Sequence, residues 1–125
     1  MQAETFRPMR GLLKKRGGAS RGLGVTTWHW RFCVLHKHAL AIHSGHDRPH
    51  ELRSAVPLKH VLQVAPATAE QSGGRSFAFA LHTSVGRSWV FCCMSETDLQ
   101  EWIKALRAVC VLTHGAGLSN ALDQQ

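Results

Sequence analysis

His29 and Arg31 alternate along the stretch Trp28-His29-Trp30-Arg31-Phe32-Cys33-Val34-Leu35. In an extended strand this spacing puts both on one face with Cys33 and Leu35, and it puts Trp28, Trp30, Phe32 and Val34 on the other. The strand leaves a loop that holds Gly17, Gly18, Arg21, Gly22 and Gly24, where glycine permits turns and close approach of backbone N–H groups. Two potential cations side by side after such a loop suit an anion. The phosphate-loop patterns of nucleotide-binding proteins are absent, so a nucleotide is not expected there.

Other chemistries find little support. The histidines at 36 and 38 have the H-x-H spacing of a metal pair, but no cysteine or carboxylate stands at a structural-site interval from them, and no metal is expected. Cys33, Cys92, Cys93 and Cys110 lack CxxC spacing and three fall in expected strands, so they read as reduced, small apolar side chains. The eight acidic residues form no evident catalytic pair, and neither GxSxG nor HExxH occurs. A non-catalytic chain without a cofactor is therefore expected. Its formal net charge of +7 and nine histidines point to a polyanionic partner. No apolar run approaches the roughly 20 residues of a membrane span, and the first residues do not read as a signal peptide. The expected location is cytoplasmic.

The elements that must position His29 and Arg31 follow from periodicity. A first strand over residues 11–16 carries Lys14, Lys15 and Arg16. After the Trp28 strand, residues 39–43 complete a hairpin, and residues 55–58 and 61–64 read as short strands, with Pro57 at an edge or a strand end. Residues 68–74 form a polar loop. Residues 76–82 place Phe77, Phe79 and Leu81 on one face, and residues 89–94 are apolar on both. The period then changes: Leu99, Trp102, Ile103, Leu106 and Val109 fall at helical spacing, with Glu101, Lys104 and Arg107 opposite. Ser95 is the expected N-cap, with Asp98 three residues on. Seven strands followed by one amphipathic helix predict a bent antiparallel sandwich or open barrel capped at one end by that helix. By length this is one domain: a lead over residues 1–10, a domain over 11–110 and a flexible tail over 111–125. Trp102 and both strand tryptophans are assigned to the core, which leaves no aromatic platform for nucleic acid, and none is expected as a partner.

From Gly11 to Val109 the chain resembles a pleckstrin homology (PH) domain. Four pieces in order carry the resemblance: Gly11-Leu12-Leu13-Lys14-Lys15, Trp28 to Leu35, Ala55-Val56-Pro57-Leu58, and Glu101-Trp102-Ile103-Lys104-Ala105-Leu106. It implies two nearly orthogonal sheets with a C-terminal helix, and a phosphoinositide or other anionic phospholipid headgroup held between the first two strands and their loop. Lys15, His29 and Arg31 match the family's headgroup positions, Arg21 a loop cation, and Arg53 a fourth-strand arginine. His29 stands where lysine or arginine is usual, and Ile42 where strong binders often place a tyrosine, which implies weak to moderate binding and blurred selectivity. Arg16 adds attraction at the loop, and Leu23 or Val25 is an apolar contact with the membrane to which the module would be peripherally recruited. The same fold also serves as a protein-interaction or adaptor module, so a protein partner is the alternative.

Overall fold

The computed structural model describes residues 8–17, 26–45, 48, 50–85 and 88–114. Arg21, Leu23 and Val25, and the expected tail beyond residue 114, lie outside the described residues. Seven strands are present: β1 (Met9–Arg16), β2 (Trp28–Leu35), β3 (Ala39–His43), β4 (Leu52–Pro57), β5 (Val61–Pro66), β6 (Ala78–Thr83) and β7 (Ser88–Cys92). A four-residue helix, α1 (Ala69–Ser72), lies between β5 and β6, and α2 (Glu96–His114) closes the described chain. The strands form one unclosed antiparallel sheet in the order β4-β3-β2-β1-β7-β6-β5. β1 pairs with β2 over all eight of its residues but with β7 only through Lys14 opposite Cys92 and Lys15 opposite Phe91. The sheet is therefore two antiparallel sets joined by a short seam.

The alternation expected from the sequence decides which face is the core. Leu13, Cys33, Leu35, Leu40 and Ile42 are buried from the first set and Val64, Phe79, Leu81 and Phe91 from the second. α2 lays Leu99, Trp102, Ile103, Leu106 and Val109 onto them. Phe79 stacks on Phe91 at 5.3 Å and on Trp102 at 6.5 Å between ring centroids. Burying each such side chain contributes about 1.5–3 kcal/mol. Trp102 thus belongs to the core as expected. Ser95 Oγ accepts the amide of Asp98 at 3.1 Å, the capping bond expected at this helix start. Pro57 ends β4, an edge strand, where a missing N–H removes no ladder bond.

Several expectations change. The helix continues past Val109 to His114, so residues 111–114 are helical rather than tail. β4 starts at Leu52, not Ala55, which brings Arg53 into the strand. The polar loop holds α1, where Thr68 and Gln71 form a reciprocal capping box and Gly73 supplies the left-handed C-cap at φ 63°. Phe77 precedes β6 with φ 59° and is exposed, rather than sharing the core face of Phe79. Trp28 and Trp30 are not core: their row faces outward, and Trp30 is 39% exposed. Arg107 is not a solvent-side residue either. Its Nε and Nη2 donate to the Val64 carbonyl at 2.9 and 2.7 Å.

Candidate functional site

The β1–β2 register builds the site. Lys15 lies directly opposite His29, and Leu13 opposite Arg31. Leu13 and Cys33 in the same row are fully buried, so this row faces the interior, and its last members Lys15, His29 and Arg31 emerge at the open end near the loop. Gly17 N donates to Thr27 O at 2.7 Å, which extends the ladder one step beyond the strands and fixes the odd-numbered residues of β1 as those bonded to β2. Directly opposed residues stand about 5 Å apart at their backbones, close enough for one anion to reach both side chains.

Each cation is held by its surroundings. Lys15 Nζ sits 5.0 Å from the centre of the Trp89 ring and donates to the Arg16 carbonyl at 3.3 Å. Trp89 lies in the inward row of β7, opposite Leu81. Arg31 Nη1 donates to the Trp30 carbonyl at 2.9 Å. Burial, and then the like charge of Arg53, lower the Arg31 pKa, while the Cys33 sulfur opposes them. The guanidinium nevertheless stays charged at any physiological pH. The register places Arg53, between Leu52 and Ser54, beside His43, which lies opposite Phe32, at the same end of the sheet. His29 is exposed.

One acid enters the rim that no local pattern of residues marks. The Glu51 carboxylate accepts from the buried Ser44 hydroxyl at 2.8 Å and pairs with Arg48 at 3.4 Å. The Ser44 hydrogen bond foremost, and then the charges of Arg48 and Arg53, hold its pKa below the ordinary range against a desolvation effect in the other direction. Glu51 is paired with Arg48 and only weakly offsets the charge of Arg53. Trp89 as a seat for Lys15 was equally hidden. Alternation alone places it on a strand face, but only the strand order brings β7 against β1.

The opposite face of β1–β2 carries a second set of cations. Lys14 faces Trp30 across the ladder with Nζ 5.1 Å from the ring centre, and the Arg75 guanidinium lies 4.9 Å over Trp28. Such pairs contribute about 0.5–1 kcal/mol each at exposed positions. Arg16 is turned toward α1, where Nη1 donates to the Gln71 carbonyl at 3.0 Å. Lys14 and Arg16 thus point away from Lys15, as alternation predicts.

Burial raises the thiol pKa of Cys33, Cys93 and Cys110 to about 12 and that of Cys92 in the same direction. For Cys33, desolvation exceeds the opposing pull of Lys15 and Arg31. All four cysteines are free and buried. Among the described residues no cluster of histidine, cysteine or carboxylate could hold a metal ion, and no helix is long and apolar enough to cross a membrane.

A family model described as the PH domain matches residues 7–111. Among solved structures, the chain is similar to the PH domain of human pleckstrin homology domain-containing protein family A member 5, with 23% identity and a TM-score of 0.65 over 82% of this chain and 76% of that one. It is also similar to the pleckstrin homology domain of ArhGAP27, with 19% identity and a TM-score of 0.69 over 83% and 99%. A third similar structure is the C-terminal PH domain of pleckstrin in complex with D-myo-Ins(1,2,3,4,5)P5, with 19% identity and a TM-score of 0.60 over 81% and 95%. No curated protein sequence matches the chain.

Proposed function

This chain belongs to the PH domain family, and from that premise we propose that it is a non-catalytic membrane-targeting module that binds phosphoinositide or other anionic phospholipid headgroups. Lys15, His29 and Arg31 contact the headgroup at the open end, with Arg53 beside them and Arg21 from the β1–β2 loop. The observation that carries this reading is the register that sets Lys15 opposite His29 and continues the row to Arg31. Like charges so placed repel one another, and an anion relieves that repulsion. The inositol phosphate bound by the related pleckstrin domain supports the same ligand class. Affinity is weak to moderate, because position 29 carries histidine in place of the lysine or arginine usual in strong binders, and the Glu51 carboxylate offsets part of the positive charge around Arg53. Arg16 is tied to α1 and so assists mainly by long-range attraction. Leu23 and Val25 serve as apolar contacts with the bilayer.

Sedimentation with vesicles of phosphatidylcholine alone, with phosphatidylserine, or with single phosphoinositides tests this at about 0.15 M salt. Each charge-assisted hydrogen bond is worth about 1.5–3 kcal/mol, so Lys15→Ala/Arg31→Ala is expected to weaken phosphoinositide binding by about 100-fold or more. Equal binding of wild type and variant, or of phosphatidylcholine and acidic vesicles, would refute a headgroup site, and equal binding of phosphatidylserine and phosphoinositide vesicles would refute a phosphoinositide preference.

A further inference from the structure

β1 is paired on both sides for only part of its length. Because the odd-numbered residues bond to β2, the even-numbered residues Arg10, Leu12 and Lys14 direct their N–H and C=O groups the other way. Lys14 meets Cys92 of β7 there. Continuing that register would set Met94 opposite Leu12, but β7 ends at Cys92 and the chain turns at Met94 and Ser95 into the Ser95 cap of α2. Among the described residues, Arg10 and Leu12 have no strand partner on this side. An open strand edge is a template for another strand.

The space that a longer β7 would fill is a groove of about 430 Å³, bounded by the β1 edge, Phe32, Met94 and the first turns of α2. It meets a smaller hollow of about 190 Å³ at Met9, which touches both. Its apolar wall includes Leu12, Phe32 and the exposed Met94. Its helix wall is acidic: Asp98 lines the groove, and Glu101, one turn on, lines the hollow. The ion pair seen among the described residues is Arg48–Glu51, so neither acid has a cationic partner there, in a chain of net charge +7. Arg10 lines the strand side of the groove, so the acidic character belongs to the helix side alone. Unpaired backbone, apolar walls and two acids on that side together define a receptor for an extended segment.

We propose that the groove between the open edge of β1 and the start of α2 binds an extended peptide segment of a protein partner, which adds as a short antiparallel strand at Arg10 and Leu12 and directs a lysine or arginine to Asp98 and Glu101. Backbone pairing gives the affinity and the side chains on either face give the selectivity. The site lies apart from the Lys15–Arg31 end and does not depend on lipid binding.

Two fluorescein-labelled hexapeptides test it, one alternating valine with lysine and one alternating valine with glutamate, measured by anisotropy at about 0.15 M salt. Net charge alone favours the glutamate peptide, whereas the groove favours the lysine peptide by tenfold or more. N-methylation of the valine nitrogens removes the ladder donors, and Asp98→Asn/Glu101→Gln removes the charge while keeping the side-chain shape. Each is expected to weaken the lysine peptide at least fivefold. Hydrogen exchange at the Arg10 and Leu12 amides is fast in the free protein, in contrast to Gly11 and Leu13, and slows when the lysine peptide binds. Preference for the glutamate peptide, indifference to N-methylation, or no binding of the lysine peptide would overturn the proposal. Protection of Arg10 and Leu12 without peptide would also overturn it, because the edge would then be covered by a second copy or by the chain itself.

Discussion

The Arg107 tether offers a direct test of how the helix is fastened to the sheet. Ala67 N donates to Ala78 O, so beyond the bulge between Val61 and Gln63 the odd-numbered residues of β5 bond to β6 and the Val64 carbonyl points off the sheet edge. Arg107 reaches that carbonyl with two N–H groups at 2.9 and 2.7 Å across 43 residues of sequence. Arg107→Met keeps the apolar stem and removes both donors, leaving a partly buried carbonyl without its partner. A hydrogen bond to a charged donor is worth about 1.5–3 kcal/mol. For a chain of this size 1 kcal/mol moves Tm by about 3–6 °C, so the variant is expected to melt on the order of 5–15 °C lower. Circular dichroism melts together with urea unfolding measure this. Lys104→Met, on the exposed side of the same helix, serves as the control and should stay within about 0.5 kcal/mol of wild type. Arg107→Lys keeps the charge but not the planar fork, and should fall between the two. An Arg107→Met protein as stable as the Lys104→Met control would refute the reasoning. The variant should also retain vesicle binding at temperatures where it is folded, because this cation is structural and lies outside the Lys15–Arg31 cluster.

Other expectations concern the rim and the thiols. Glu51→Gln keeps an acceptor for the Ser44 hydroxyl but removes the carboxylate beside Arg53 and Arg48. Binding to phosphoinositide vesicles should rise about two- to fivefold, with the gain shrinking at high salt, and an unchanged affinity would mean Arg53 takes no part. In the folded protein at pH 8 a thiol reagent should label none of the four cysteines, and in urea all four, as counted by mass spectrometry. Burial raises the folded pKa of Cys33, Cys93 and Cys110 to about 12, above the unfolded value near 8.5. Their contribution to stability is therefore complete below about pH 8.5 and is lost as pH rises toward 12. Tm should fall across that range, and less steeply in Cys33→Ala.

Much of the fold follows from local periodicity, since alternation over residues 28–35 and helical spacing from Leu99 to Val109 each depend only on which face must avoid water. Alternation also separated Lys15 from Lys14 and grouped His29 with Arg31, since side chains two apart share a face wherever the strand goes. It could not say which face was inner. Trp28 and Trp30 look like core by composition, yet the Cys33 row is the buried one, and the tryptophans instead seat Arg75 and Lys14. Arg107 reads as solvent-facing from its helical angle alone, but the edge carbonyl of Val64 draws its long side chain back to the sheet. The family pattern carried Arg53 to the site, whereas the rim acid Glu51, the Trp89 seat under Lys15 and the unpaired edge at Leu12 had no local signature. All three depend on strand order, register and the point where β7 gives way to α2, which are set by contacts between residues far apart in the chain. Side-chain type and facing are local properties of the chain, whereas which of those faces meet depends on contacts that form only when the strands and α2 pack together.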